Sequence, residues 1–173
     1  MTGPPEQPQP ISAPHGAAFE MVVYSGTLPP ALVGPLSRIH NAAFRELGQL
    51  GWSEQSIGSL AVTDGAILIA AYADKQMAGF ILTRSASDEA ELLTIAVDSG
   101  FQRAGVASLL IKSAKGELKK NAVKSFFLEV RRDNSAAIAC YKKFGFDEIA
   151  VRKNYYTDDS GTKIDAKVFR LLL

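Results

Sequence analysis

The ten residues FQRAGVASLL, positions 101–110, follow an apolar run typical of a strand and open a segment with apolar residues at helical spacing. A basic residue, a glycine and several small residues thus stand where the chain passes from strand to helix. Small residues allow such a turn to pack tightly, while the free amides at a helix N-terminus form a site for phosphate. Both interpretations stay open from this stretch alone.

The turn lacks the signatures of the common nucleotide-binding folds. It has neither the GxGxxG spacing of a dinucleotide site nor the glycine-lysine-serine or threonine ending of a P-loop. It offers instead a run of amides suited to one pyrophosphate, and Gly105 lets the backbone approach a ligand closely. The residues expected to take part are Arg103, Ala104, Gly105, Val106, Ala107 and Ser108.

Around this turn, apolar periodicity predicts alternating strands and helices. Strands are predicted at residues 19–24, 66–73, 77–84, 89–97, 125–131, 146–151 and 166–172, and helices at 35–48, 53–60, 104–120 and 134–144. An antiparallel meander followed by strand-helix-strand units predicts an α/β fold, in which a mixed sheet of six or seven strands is flanked by about four helices.

Composition indicates one folded domain with an N-terminal tail. Five of the eight prolines fall in the first 14 residues, so residues 1–18 are expected to be a flexible tail and residues 19–173 the domain. A net charge of +1 favours neither nucleic acid nor membrane as a partner. The single cysteine, Cys140, predicts a reducing, cytoplasmic location.

Two longer stretches resemble a known family. TIAVDSGFQRAGVASLL, residues 94–110, is similar to the acetyl-CoA signature of the GNAT N-acetyltransferases, and FLEVRRDNSAAIACYKKFGFDEIAVRKNYY, residues 127–156, resembles the RimI-type members. Those enzymes acetylate the N-terminal alanine of a small-subunit ribosomal protein. The resemblance implies acetyl-CoA as co-substrate, a protein N-terminus as acceptor, and backbone contacts to the pantetheine from Ile95, Ala96 and Val97, helped by a bulge in their strand.

Glu129 is the expected general base. It lies in an apolar strand, where a carboxylate must be paired or have a raised pKa, and a raised pKa suits a base. The alternative is a structural ion pair with Arg131 on the same strand face.

Tyr141 and Asn134 lie two turns apart on one face of the predicted fourth helix. The resemblance makes Tyr141 the acid that protonates the leaving thiolate and Asn134 a ligand of the pantetheine arm. Their structural alternatives are a half-buried aromatic residue and a helix N-cap.

Trp52, Tyr155 and Tyr156 are expected to wall the acceptor groove. Gly51 stands where similar bacterial enzymes often have proline, which predicts a looser loop beside Trp52, and Ala107 replaces a common glycine. His40 has no second histidine or cysteine at ligand spacing, so no metal is expected.

Two other functions stay open from the sequence. One is a non-catalytic module that binds acetyl-CoA. The other is an enzyme of the same fold that acetylates lysines or a cationic small amine, for which the acceptor groove should be acidic. Only Glu54 is acidic among the expected acceptor-side residues, which favours a peptide acceptor.

Overall fold

The computed structural model describes residues 11–12 and 18–173, which form one sheet with helices on both faces. The strands are β1 (Ile11–Ser12), β2 (Ala18–Ser25), β3 (Ala66–Ala73), β4 (Gln76–Ala86), β5 (Glu89–Val97), β6 (Ser125–Arg131), β7 (Asp147–Thr157) and β8 (Lys163–Leu172). The helices are α1 (Pro30–Arg45), α2 (Glu54–Ala61), α3 (Val106–Lys120) and α4 (Ser135–Lys143).

The sheet order is β1-β2-β3-β4-β5-β6-β8-β7. All neighbouring strands are antiparallel except β5 and β6, which run parallel because α3 crosses between them. The prediction of a mixed sheet with four helices is confirmed, and seven of its strands match predicted ones. The remaining strand, β1, pairs Ile11 with Phe19 inside the stretch expected to be a tail. Residues 1–10 and 13–17 of that tail lie outside the described residues.

Two apolar cores lie on opposite faces of the sheet. Phe126, Leu128 and Val130 of β6 point to the face covered by α3 and α4. On the other face, α1 and α2 cover β3 and β4 through residues such as Leu36, Ile57 and Phe80, all fully buried. Successive side chains of a strand point to opposite faces of the sheet. Glu129 lies between Leu128 and Val130, so its side chain points to the face covered by α1.

Two predicted boundaries are wrong by five residues or more. Helix α1 begins at Pro30, preceded by Pro29, and Pro35 lies inside it, whereas the prediction began the helix at Pro35. Proline is common at the first position of a helix, and Pro30 already occupies that position. Strand β7 continues to Thr157 rather than ending at Val151, so Tyr155 and Tyr156 belong to a strand. The predicted cap of α2 is confirmed, since Ser53 accepts a hydrogen bond from the Ser56 amide at 3.1 Å.

Candidate active site

The two parallel strands separate at the middle of the sheet. β5 and β6 pair only from Glu89 with Ser125 to Glu91 with Phe127. Directly afterwards β5 contains a bulge, because Thr83 faces Leu92 while Leu82 faces Thr94, which leaves Leu93 without a partner in β4. A bulge bends its strand and increases its twist, so the remainder of β5 diverges from β6. The bulge expected from the family resemblance is therefore present.

A cleft of about 240 Å³ occupies the gap between the separated strands. It brings together seven of the residues expected from the sequence: Ile95, Ala96, Val97, Glu129, Asn134, Tyr141 and Tyr156. On the β5 side, Ile95, Ala96 and Val97 pair with β4 along one edge only, so their other backbone edge faces the cleft. Unpaired strand amides and carbonyls suit a ligand that carries amide groups, as a pantetheine arm does.

The opposite wall of the cleft was missed from the sequence. It is formed by the end of α1 and the connection to α2, through Phe44, Glu46, Leu47 and Gln49. This connection has no apolar periodicity, so no pattern in the sequence places it at the site. Arg131 attaches it to β6 by donating from Nη1 to the Leu47 carbonyl at 2.8 Å.

Glu129 is paired with Arg152 of β7, and not with Arg131 as the structural alternative supposed. The Arg152 Nη1 to Glu129 Oε1 distance is 2.6 Å, and the Glu129 side chain is 22% exposed. Arg131 is held instead by Asp133, through contacts of 3.0 and 2.7 Å. Glu129 is thus half-buried and forms a charge-assisted hydrogen bond with a cation.

Two tyrosines line the cleft together with Glu129. Tyr141 is 6% exposed, and burial raises the pKa of its phenol above the ordinary value. Burial, with a smaller contribution from the Glu129 charge, raises the pKa of Tyr156 to about 12. Both hydroxyls therefore stay protonated at neutral pH and can serve as donors.

Asn134 is the N-cap of α4, as its structural alternative proposed. Its Oδ1 accepts a hydrogen bond from the Ala137 amide at 3.1 Å. Capping uses the oxygen of the side chain, while the side-chain nitrogen has no bond within the described residues. Since Asn134 also lines the cleft, capping and ligand binding are compatible.

The turn after β5 has the geometry of an anion site. A short 3₁₀ helix, Ser99–Phe101, follows β5. Helix α3 then begins after Gly105, whose φ of 85° lies in the left-handed region. Arg103 is also left-handed, with φ of 61°. The first-turn amides of α3, at Val106, Ala107 and Ser108, have no partners inside the helix. The expected run of free amides is interrupted at Ala104, which donates weakly to Phe101 at 3.4 Å.

Trp52 and Tyr155 lie outside the cleft. Trp52 packs on the α1 side, where its ring stacks on His40 at 4.9 Å. Tyr155 is 45% exposed and lies under the Arg152 guanidinium, 3.8 Å from it, next to Glu129. Their expected role in acceptor binding stays a prediction.

Glu129 also lines a second cavity, of about 310 Å³, farther along the sheet. This cavity includes Arg84, Glu89, Glu91, Phe127 and Val168. Glu89 and Glu91 give this cavity an acidic lining that no motif in the sequence predicted. A carboxylate shared by two cavities can face one ligand in each.

His40 is a neutral, fully buried histidine. Its ring lies between Phe44, at 4.0 Å, and Trp52, and its Nδ1 accepts a hydrogen bond from the Trp52 amide at 3.1 Å. Burial lowers its pKa from 6.5 to about 4. The proton of the neutral ring must then be on Nε2, which has no partner within the described residues.

We expect His40 to make folding stability depend on pH. A pKa lower in the folded state contributes stability that is complete above 6.5 and is lost as the pH falls toward about 4. The loss across this window should reach about 3 kcal/mol. Denaturant unfolding of the wild type and His40→Phe at several pH values measures it, since the variant lacks this contribution while both share every carboxylate. Identical pH dependence of the two proteins would contradict the lowered pKa.

Across the described residues, histidine, cysteine, aspartate and glutamate side chains do not gather in groups of three or more that could hold a metal ion. None of the helices within residues 18–173 combines the length and apolar character needed to cross a bilayer.

The sequence matches the acetyltransferase (GNAT) family over residues 35–146. Ribosomal protein bS18-alanine N-acetyltransferase of Salmonella typhimurium is 45% identical over 89 residues, which cover 51% of this chain and 60% of that protein. The Escherichia coli K12 protein of the same name is 43% identical over 96 residues, which cover 56% and 64%. The chain thus spans less than two thirds of the length of these curated relatives.

The structural comparison covers more of both chains. The crystal structure of the ribosomal-protein-S18-alanine N-acetyltransferase from Escherichia coli superposes with a TM-score of 0.77 and 32% identity, covering 88% of this chain and 93% of that one. The chain belongs to the acetyltransferase (GNAT) family.

Proposed function

We propose that this protein transfers an acetyl group from acetyl-CoA to the α-amine of an N-terminal alanine, with a small-subunit ribosomal protein of the S18 type as acceptor. The observation that carries the proposal is the position of Glu129, which borders both the cleft between β5 and β6 and the second cavity. One ligand on each side of a base is what a direct transfer between two substrates requires. The names of the relatives support the choice of acceptor.

Acetyl-CoA suits the cleft and the adjoining turn. The pantetheine amides would bind the free backbone edge of Ile95, Ala96 and Val97 and the side-chain nitrogen of Asn134. The pyrophosphate would bind the first-turn amides of α3, where Gly105 lets it approach, with Arg103 adding a positive charge.

The reaction proceeds by attack of the amine nitrogen on the thioester carbonyl. A C–N bond forms and the C–S bond breaks, so the products are the acetylated amine and free coenzyme A. Glu129 takes the proton that the amine must lose, and Tyr141 supplies one to the departing thiolate. Arg152 holds the Glu129 carboxylate in place by an ion pair before the acceptor arrives.

The proposed acceptor places the reaction in the cytoplasm, where ribosomal proteins are made. The single cysteine is consistent with that compartment.

A cationic small amine is the second candidate acceptor. Glu89 and Glu91 line the cavity beyond Glu129, and Arg84 only partly offsets them through a long contact of 3.7 Å to Glu91. Such a surface would attract a polyamine as well as a basic peptide.

The proposal is tested by the release of free thiol from acetyl-CoA. A peptide that begins with alanine should release thiol at a rate proportional to enzyme concentration, and the same peptide with a blocked amine should not. Release that is equal with both peptides, or absent with every amine, would contradict catalysis on an N-terminus and favour a module that only binds acetyl-CoA.

A further inference from the structure

One buried hydroxyl at the cleft has no hydrogen-bond partner. Among the described residues, two buried side-chain polar atoms lack a hydrogen bond, Oγ1 of Thr94 and Nε2 of His40. Thr94 is 4% exposed and lines the cleft, whereas His40 does not line it. A buried hydroxyl without a partner is costly, and folded proteins rarely keep one unless a ligand or a water molecule completes it. The unpaired Thr94 hydroxyl is therefore a candidate contact for a ligand of the cleft.

Thr94 points to the same face of the sheet as Glu129. It pairs with Leu82 of β4, and directly paired residues of neighbouring strands project from the same face. Leu82 belongs to the core beneath α1 and α2, so Thr94 also points to the face covered by α1. Tyr141 belongs to the core on the opposite face. The hydroxyl thus lies on the side of the expected base and not on the side of the expected acid.

The bulge in β5 decides which side chain stands opposite Glu129. The last parallel pair joins Glu91 of β5 to β6, and Glu129 lies two positions beyond that pair. Counted along the partner strand β4, Thr94 also lies two positions beyond Glu91, because the bulge adds one residue to β5. Without the bulge, Leu93 would stand at this position. Thr94 and Glu129 are therefore the first residues of this face on the two sides of the gap.

We propose that Thr94 is a further catalytic residue, whose hydroxyl accepts a hydrogen bond from the acceptor amine while Glu129 takes a proton from the same nitrogen. A threonine oxygen has two acceptor lone pairs, and rotation about the Cα–Cβ bond moves it between staggered positions. At neutral pH an α-amine is largely charged and carries three N–H groups, so one is available for each residue. The inference rests on the proposed function, because it adds a residue to the same site.

The hydrogen bond to Thr94 orients the nucleophile. It restrains rotation of the amine about its C–N bond, so that the lone pair freed by the loss of a proton to Glu129 is directed at the thioester carbonyl. Holding a nucleophile in the geometry of attack removes part of the entropic barrier to the reaction. Tyr141 acts from the opposite face, so the amine and the departing thiolate are served by different sides of the sheet.

Thr94→Val tests this role, since valine has nearly the shape of threonine but no hydroxyl. Thr94→Ser is the conservative variant, because serine keeps the hydroxyl and loses only a methyl group. The matched control is Thr83→Val in the neighbouring strand β4. Thr83 is 1% exposed and its hydroxyl donates to the Ile67 carbonyl at 3.4 Å, but it does not line the cleft.

The kinetic effect should fall on the acceptor amine alone. Thr94→Val should lower kcat/KM for the acceptor about tenfold, while the KM for acetyl-CoA stays within about twofold. Thr94→Ser should stay within about threefold of the wild type, and Thr83→Val should have wild-type kinetics. A near-normal kcat/KM of Thr94→Val, equal losses in Thr94→Val and Thr94→Ser, or a rise in the KM for acetyl-CoA alone would overturn the proposal.

Denaturant unfolding separates this role from a structural one. Thr94→Val replaces an unpaired buried hydroxyl by a methyl group, so the free energy of unfolding should be unchanged or higher. Thr83→Val breaks an existing hydrogen bond and should unfold at a lower denaturant concentration. If Thr94→Val were destabilised more than Thr83→Val, the Thr94 hydroxyl would have a structural partner such as a buried water molecule, and the proposal would be overturned.

The identity of the acceptor does not decide this test, because every acceptor carries an amine nitrogen. If the wild type acetylates a polyamine and no N-terminal peptide, the proposed acceptor is wrong, while the comparison of Thr94→Val with Thr94→Ser on the polyamine still decides the role of Thr94. Wild-type transfer that Thr94→Val leaves unchanged would overturn this inference alone. Absence of transfer to every amine would overturn the proposed function and this inference together.

Discussion

Replacement of Glu129 by glutamine is expected to lower kcat by about 10²-fold or more. Glutamine has nearly the same shape and keeps an oxygen that can accept the Arg152 hydrogen bond, but it cannot take a proton from the acceptor amine. Calorimetry should find the acetyl-CoA affinity little changed, because the proposed contact of Glu129 is with the reacting amine rather than with the pyrophosphate or pantetheine. Steady-state thiol release measures the rate.

Glu148→Gln is the matched control for this variant. Glu148 of β7 also belongs to an ion pair, 2.8 Å from Lys167 of the neighbouring strand β8, and its side chain is 31% exposed. It lies away from the cleft, so its loss should leave turnover near that of the wild type. Near-normal turnover of Glu129→Gln at neutral pH would show that the base is another group or bulk water.

Tyr141→Phe supplies the companion result. Burial raises the pKa of Tyr141, so the phenol keeps its proton throughout the neutral and mildly alkaline range. In the wild type, deprotonation of Tyr141 should therefore lower the turnover rate only at pH values above the ordinary tyrosine pKa of about 10. The variant should turn over more slowly at neutral pH and lack this alkaline fall. A silent variant would indicate that the thiolate leaves unassisted.

Replacement of Gly105 by aspartate is expected to weaken acetyl-CoA binding by at least about 100-fold. The new carboxylate would lie at the start of α3, where the first-turn amides are proposed to hold the pyrophosphate, and like charges repel strongly at close range. Gly105 has φ of 85°, so substitution also strains the backbone. Calorimetric titration with acetyl-CoA measures the loss.

Gly105→Asn separates the effect of charge from that of strain. Asparagine and aspartate have the same shape, and both tolerate the left-handed conformation better than other residues with a Cβ atom. Asparagine should weaken binding clearly less than aspartate, and circular dichroism should show both variants folded. Equal affinities of the two variants would mean that no phosphate lies at this turn.

The sequence predicted those parts of the site that are built from residues close together in the chain. The turn around Gly105 follows a strand and opens an apolar helix, so both its conformation and its family resemblance were readable from one segment. Asn134 was recognised as an N-cap for the same reason, since a cap is decided by residues within one turn. The family prediction is confirmed by the match over residues 35–146.

The contacts that the sequence did not predict join residues far apart in the chain. The structural alternative for Glu129 was a pair with Arg131, two residues away on the same strand face, but the partner is Arg152 on a strand that is not adjacent to β6. That strand, β7, has register irregularities between Glu148 and Ala150 and between Arg152 and Tyr156. Bulges interrupt side-chain alternation, which explains why the predicted strand stopped at Val151.

The stacked His40 could not be assigned from its own segment either. It lies on the buried face of α1, together with Leu36 and Ile39. Its bond to the Trp52 amide depends on the path of the connection between α1 and α2, which has neither regular structure nor periodicity. Such a loop is placed by its tertiary contacts, and these are not encoded in local spacing.

The most direct test of the proposed function is to identify the acetylated product formed in a mixture of acceptors. The mixture contains equal amounts of an S18-type peptide that begins with alanine, the same peptide with a blocked N-terminus and an internal lysine, and a polyamine. Mass spectrometry with fragmentation then locates the acetyl group. The proposal predicts acetylation of the alanine α-amine well before either competitor reacts. Preferential acetylation of the polyamine, whose charge suits Glu89 and Glu91, or of the lysine side chain would contradict it.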